Sequence, residues 1–361
     1  MSVLIIANTG KQNSGAGRYT RQVLNEYDKR FIKYGIISYD NGLLKNSSIL
    51  NFIKNIITVF KLSKEYKNIH AFDAWPFGVY AVIPNLFLNK RLFINGVGSY
   101  SVKTEKSPIK NLLMKVSYQR AYKVLAVSRY VSDRISDEFN LKNVEIAHLG
   151  LTLLEDISLD DYDEIEKKYH LNKFEKVFLT VGAIKERKGQ FDTLQGISLL
   201  KKDYPNFCYV MVGSDLDVDY INKIKNFAQV NGVSNNIKII SGVPSGEEGD
   251  KVLTYFYKTC DVFCLNSNNE GAHFEGFGLV FLEAAQFGKP SIGSNGCGIE
   301  SAIENGKTGL LSGQKNHVMI ASNIKKILDG NYLLYSKEAT EFSKKFPWSE
   351  TAWLYSKYYI N

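Results

Sequence analysis

The sequence predicts an α/β protein with two Rossmann-like domains in tandem, and three observations predict it. Short apolar runs alternate with longer amphipathic stretches from the first residues onward. An acidic stretch at residues 155–166 interrupts that rhythm, and the same alternation then restarts. The charge divides as well. The 361-residue chain carries +8 overall from 45 Lys+Arg and 37 Asp+Glu, yet residues 1–150 hold 22 basic and 10 acidic side chains, and the remainder is slightly acidic. Strand, helix, strand at this spacing argues for parallel sheets covered on both faces.

In the first half the strand candidates are residues 3–7, 35–38, 69–72, 92–94, 124–127 and 144–147. Helical patterns lie between them at 19–27, 48–66, 107–122 and 128–139. Ser107-Pro108 is a good helix start, with a serine to cap and a proline in the first turn. The acidic stretch reads as a linker or the start of a connecting helix. Beyond it, strands are expected at 176–181, 207–212, 237–240, 261–265 and 290–293. Helices at 190–202, 220–231, 251–259 and 279–287 separate them. The expected arrangement is two domains facing each other across a cleft, with the carboxyl ends of both sheets turned toward it.

Composition narrows the function. A chain with 44% hydrophobic and 23% charged residues is neither disordered nor collagen-like. Cys208, Cys260, Cys264 and Cys297 form no C-x-x-C pair and read as buried thiols, which suits the cytosol. The first residues lack the charged flank of a signal peptide. No apolar run approaches the roughly 20 residues needed to span a bilayer. The five histidines form no metal pair, and His273 reads as a solvated loop residue. The basic side chains are not interleaved with a nucleic-acid module, so no nucleic-acid partner is expected.

Four loops carry residue types that point to chemistry. In Phe274-Glu275-Gly276-Phe277-Gly278-Leu279-Val280-Phe281-Leu282-Glu283, two carboxylates flank a Gly-Phe-Gly turn and a helix-forming run. A helix starting near Gly278 directs unpaired amides and its positive dipole end outward, which suits a phosphate. One acid then suits a ribose and the other a sugar hydroxyl; a glycine-rich helix entry with two solvated acids is the plainer reading. The second loop follows a strand ending at Gly182 and holds Arg187-Lys188-Gly189. Arginine suits bidentate phosphate contact and lysine a point-charge contact, whereas a solvated charged turn would look the same. In the third, Gly15 and Gly17 follow the first strand, where small residues admit a ligand to the backbone. That loop is not G-x-G-x-x-G, which argues against a nicotinamide dinucleotide. The fourth, Ser294-Asn295-Gly296-Cys297-Gly298-Ile299-Glu300, is a tight turn that either faces a ligand or serves the chain reversal alone.

Taken in this order across two Rossmann-like halves, these motifs resemble the retaining glycosyltransferases of family 4, which adopt the GT-B fold. The resemblance spans nearly the whole chain and is most specific from Val177 to Leu311. It implies an acceptor-binding domain at 1–165, a nucleotide-sugar donor domain at 166–345, and a terminal helix at 346–361 crossing back to the first domain. It implies further that Arg187 and Lys188 bind the donor diphosphate, that Glu283 holds the ribose hydroxyls and that Glu275 contacts the transferred sugar. Gly276, Phe277, Gly278 and Leu279 then approach sugar and phosphate through their amides, and Gly15, Gly17 and Gly182 line the donor. Where the family often has a histidine beside the donor sugar, this chain has Asn95, which hydrogen-bonds but cannot become cationic.

By the same resemblance, the expected activity is transfer of a hexose-type sugar from a UDP- or GDP-sugar to a glycan or lipid-linked acceptor, with retention and without a metal or other cofactor. The setting it implies is surface polysaccharide or glycoconjugate synthesis at the cytoplasmic side. A nucleotide-sugar epimerase and a catalytically silent sugar-nucleotide-binding subunit are the rival readings. Residues 51–67 and 103–123 are basic and amphipathic, which fits an anionic membrane surface as well as a solvated outer face.

Overall fold

The computed structural model describes residues 2–8, 15–45, 48–104, 107–244 and 246–359. The chain forms two compact units. Unit 1 comprises Met1–Gly150, Gly271–Phe277 and Phe346–Asn361; unit 2 comprises Leu151–Glu270 and Gly278–Lys345.

In unit 1 the described residues form a six-stranded parallel sheet: β1 (Ser2–Ile6), β2 (Lys33–Ile37), β3 (Asn68–Ala71), β4 (Arg91–Gly96), β5 (Lys123–Ala126) and β6 (Val144–Ile146). Their order is β2-β1-β3-β4-β5-β6. Ile6 lies opposite Ile37 on one side and Ala71 on the other, and Val3 to Ile6 are buried. This is why the strand reads as a continuous apolar run rather than an alternation. The covering helices are α1 (Gly15–Lys29), α2 (Ile49–Ser63), α3 (Val79–Leu88), α4 (Pro108–Arg120) and α5 (Arg129–Phe139). Serine caps start three of them: Ser48, Ser107 and Ser128 accept from the amides of Asn51, Lys110 and Val131. The sequence reading missed α3 because Pro84 stands inside its apolar run.

Unit 2 begins with α6 (Leu159–Tyr169), so the acidic stretch is in part a helix. Ser158 caps it, Asp160 and Asp161 sit in its first turn, and Lys167 and Lys168 in its last, so charge opposes the helix dipole at both ends. The sequence places the domain boundary at residue 165, whereas the compact units divide at Gly150. The reason is packing within unit 2: Tyr162 lies against Tyr255, and Lys251 pairs with Asp161 at 3.1 Å. The rest of unit 2 is β7 (Lys176–Val181), α7 (Gln190–Leu199), β8 (Phe207–Val212), α8 (Val218–Val230), β9 (Ile237–Ile240), α9 (Glu247–Thr259), β10 (Val262–Leu265), α10 (Leu279–Gln286), β11 (Ser291–Ser294), β12 (Gly309–Ser312), α11 (His317–Leu328) and α12 (Tyr332–Ser343). Six parallel strands among the described residues run in the order β12-β11-β10-β7-β8-β9. The sequence reading placed no strand at β12; its Gly309 lies where a Cβ would stand 2.1 Å from the Ser291 carbonyl oxygen, so only glycine lets the edge pair form.

The last helix, α13 (Trp348–Ser356), belongs to unit 1 and packs on α1. Tyr355 shares a hydrogen bond with Tyr19 at 3.0 Å, and Tyr359 shares one with Tyr27 at 2.8 Å. Among the described residues, no helix is long and apolar enough to cross a membrane. The four cysteines are buried, and burial pushes the Cys208 and Cys260 thiols up to about 12.

Candidate functional site

In each sheet the strand order reverses at one place, and ligands of open α/β sheets bind outside the carboxyl ends of the strands there. In unit 2 the reversal lies between β7 and β10. Beyond β7 the chain passes Gly182, whose φ is +149°, and reaches a tight turn over Glu186–Lys188. Gly189 closes that turn at φ +68°, and a Cβ there would stand 1.9 Å from the Asn266 carbonyl oxygen just beyond β10. The Asn268 amide donates to the Arg187 carbonyl at 2.7 Å. The two strand ends thus clamp the turn carrying Arg187 and Lys188. Lys223 pairs with Glu186 at 3.0 Å, so the one acid in the turn has its own cation. Arg187 and Lys188 are half-buried, and the Lys188 side chain lies beside Gly182.

Gly278 precedes α10 at φ +90°, and the first turn of α10 contains no acidic residue. Leu279 starts the helix. Glu283 lies inside it, 2% exposed, and accepts a hydrogen bond from the Tyr257 hydroxyl at 2.8 Å. In unit 2, therefore, Gly182, Arg187 and Lys188 come together at the switch point, while Gly278, Leu279 and Glu283 share the start of one helix.

The remaining expected site residues are in unit 1. Glu275 is half-buried in the 271–277 segment. Gly276 presses on the backbone beyond β4, where a Cβ would stand 2.0 Å from the Val97 carbonyl oxygen. The side chain of Phe277 is buried against the rings of His148 and Phe346, so a donor contact at this residue falls to its backbone. His273 is exposed. Gly15 and Gly17 lie in the first turn of α1; Asn13 and Ser14 of the same motif lie outside the described residues.

Asn95 differs from the expectation of a sugar contact. It is completely buried, and its amide is committed at both ends. His70 Nε2 donates to Asn95 Oδ1 at 2.8 Å, and Asn95 Nδ2 donates to the Tyr19 hydroxyl. His70 Nδ1 accepts from the Tyr359 hydroxyl. Burial lowers the His70 pKa to about 3, so the ring is neutral and one nitrogen can accept. Asn95 is thus part of a buried polar strip linking β3, β4, α1 and α13.

Unit 1 has its own reversal, between β1 and β3, and it holds a cavity of about 740 Å³. Asn8 beyond β1 and Asp73 beyond β3 both line it. One wall is aromatic: the rings of Phe52 and Trp75 stack 5.7 Å apart, and Tyr80 lies 5.0 Å from Phe52. Asp73 Oδ1 accepts from the Ala74 amide at 2.8 Å and the Ser101 hydroxyl at 2.6 Å. Burial raises the Asp73 pKa to about 7, against the pull of those bonds and of the Lys110 ammonium. Sequence reasoning missed Asp73; the available signal was a lone acid in the aromatic run Phe72-Asp73-Ala74-Trp75-Pro76-Phe77 directly after a strand. Among the described residues, no group of three or more His, Cys, Asp or Glu side chains is placed to hold a metal ion.

The sequence profile of the family described as glycosyl transferases group 1 matches residues 161–346. The uncharacterized glycosyltransferase MJ1178 of Methanocaldococcus jannaschii is 24% identical over 88% of this chain and 87% of its own length. The capsular polysaccharide biosynthesis glycosyltransferase CapM of Staphylococcus aureus is 22% identical over 99% and 90%. Among solved structures, Anabaena Alr3699/HepE in complex with UDP-glucose superposes with a TM-score of 0.79 at 16% identity, covering 99% of both chains. That likeness shows a shared fold, the GT-B class expected from the sequence.

Proposed function

This chain belongs to the glycosyl transferases group 1 family, and on that premise we propose that it transfers a hexose-type sugar from a UDP- or GDP-sugar to a glycan or lipid-linked acceptor, retaining the anomeric configuration and using no metal ion or other cofactor. The observation that carries this reading is the clamped Arg187-Lys188 turn at the switch point of unit 2. As the bond between the anomeric carbon and the donor phosphate breaks, negative charge grows on the phosphate oxygen. Two cations on a turn that cannot relax meet that charge without reorganising, which is the efficient form of electrostatic catalysis. The acceptor hydroxyl attacks from the face the phosphate leaves, and its proton passes to the departing phosphate oxygen. Glu275 contacts the transferred sugar and Glu283 serves the ribose. Glu283 is buried in α10 and accepts from the Tyr257 hydroxyl, which fixes the direction of its carboxylate. The UDP-glucose complex of HepE, a protein of the same fold, supports a nucleotide-sugar donor.

The deciding experiment is calorimetry of the purified chain with UDP-, GDP- and ADP-sugars, followed by transfer assays with the donor that binds. Tight binding of one donor and sugar transfer to an acceptor is the expected result. Donor consumption without an acceptor would point to an epimerase, and binding without any transfer to a silent subunit.

The surface of unit 1 supports a cytoplasmic protein resting on a membrane. Ile49, Ile53 and Ile57 of α2 and Ile109 and Leu112 of α4 are exposed beside Lys54, Lys61 and Lys115. Apolar and basic groups together suit an anionic lipid surface. Co-sedimentation with anionic liposomes that weakens as salt rises is expected, and its absence at low salt would remove the membrane from the reading.

A further inference from the structure

We propose that Arg134 of α5 is a positioning residue, whose guanidinium holds the 271–277 segment on that helix and thereby sets Glu275 for the transferred sugar. This inference rests on the sugar-transfer reading and names how one of its groups is kept in place. Arg134 reaches the segment at two points. Its Nη1 donates to the Gly271 carbonyl at 3.4 Å, and its guanidinium carbon lies 4.9 Å from the centre of the Phe274 ring. Tyr130, one turn earlier on the same face of α5, meets that ring at 5.1 Å and a steep 69°.

The guanidinium is itself fixed. Its Nε and Nη2 donate to Glu138 Oε1 at 2.8 and 2.5 Å, while Glu138 Oε2 accepts from the Lys103 amide at 2.5 Å. Tyr130, Arg134 and Glu138 therefore stand in one row along α5. A flat cation can fork onto a carboxylate and lie over a ring at the same time, which an ammonium cannot do. A half-exposed pair of this spacing adds little to the stability of a helix, so its value lies in orienting the guanidinium. Phe274 is buried by these contacts, and Glu275 follows it directly. On the other side of Glu275, Gly276 presses on the Val97 carbonyl and Phe277 is buried against His148 and Phe346. The segment needs such holds. Gly271 at its start has φ +58° and Gly278 just after it has φ +90°, so it hangs between two glycines in the left-handed region. A reacting group displaced by about 1 Å costs catalysis on the order of a hundredfold.

The test compares the parent with Arg134→Ala, Arg134→Lys and Phe274→Leu, with Glu275→Gln as the reference for a lost sugar contact. Calorimetry with UDP-, GDP- and ADP-glucose, and with UDP, GDP and ADP, gives the affinity that the sugar adds to the nucleotide. Arg134→Ala should lose most of that increment, bind the free nucleoside diphosphate as before, and lower kcat by about ten- to a hundredfold. Hydrogen exchange should speed up across 271–277 and stay as it was in the rest of the chain. Lysine should not rescue the variant. Phe274→Leu should show the same split, and the double variant should be little worse than either single one. Parental kcat and sugar increment in Arg134→Ala overturn the inference, and so does full rescue by lysine. Loss of nucleoside diphosphate binding in step with sugar binding overturns it too, since that marks a general disturbance of the fold. The two readings fail separately. A parent that neither binds nor transfers a nucleotide-linked sugar sinks the transfer reading, whereas a transferring parent that needs Glu275 but ignores Arg134 sinks only this proposal.

Discussion

The two units use one architecture and place opposite chemistry at the same topological position. Each has a parallel sheet whose strand order reverses once, between β1 and β3 in unit 1 and between β7 and β10 in unit 2. Unit 2 fills that crevice with a short cationic turn fixed by backbone contacts on both sides. Unit 1 leaves an open cavity there, walled by aromatic rings around a single acid. Topology determines where a ligand can sit, and the few residues beyond each strand decide which ligand it is. One crevice presents fixed positive charge, and the other presents flat apolar surface around one carboxyl group.

The largest effect that would test this contrast is Arg187→Ala or Lys188→Ala. Each should slow transfer by about 10²–10³-fold with the thermal transition unchanged, as loss of one charge-stabilising donor typically does. Near-normal turnover would remove the clamp from the mechanism. Gly189→Ala comes next. A Cβ at φ +68° and 1.9 Å from the Asn266 carbonyl forces the two strand ends apart, and a loss of about 3 kcal/mol in denaturant melts is expected from such strain. If the variant melts like the parent, the turn is not clamped.

Two effects that appear only as the pH is moved belong to unit 1 and have opposite signs. His70 resists protonation down to about pH 3, whereas an ordinary histidine takes a proton near 6.5. The stability it contributes is present above pH 6.5 and is lost as pH falls toward 3. His70→Gln should remove that slope and recover about 3 kcal/mol at pH 4 relative to its own deficit at pH 7. Asp73 runs the other way: the folded chain keeps its proton to about pH 7 where the unfolded chain releases it near 3.8, so stability falls as pH rises through that window. Asp73→Asn should raise Tm by about 9 °C at pH 8.5 and leave it almost unchanged at pH 3.5. An equal rise at both values would mean the carboxyl group is not held protonated.

How much could be read from the sequence depends on how local each signal is. Strands buried on both faces are continuous apolar runs, so residues 3–7 and 176–181 announce themselves without their neighbours. Arg187 and Lys188 stand in the loop that follows such a run, which places them at a strand's carboxyl end. Asn95 also follows an apolar run, but its role is set by His70 and Tyr19, which are distant in sequence and reach it only in the folded chain. Asp73 was hidden because a lone acid among aromatic residues has no spacing partner. The membership of residues 271–277 in unit 1 was hidden too, since it depends on Phe274 meeting Tyr130 and Phe277 meeting His148.

The packing of α13 on α1 also bears on the order in which the chain acquires its structure. Tyr19 meets Tyr355 and Tyr27 meets Tyr359, so unit 1 is joined across separations of 336 and 332 residues. During vectorial synthesis every residue of unit 2 leaves the ribosome before those tyrosines do. The second unit to be translated is therefore the first that can finish folding, and the first must wait with α1 and its polar strip uncovered. Messages truncated near residue 345 should yield a completed unit 2 joined to a unit 1 that chaperones still hold.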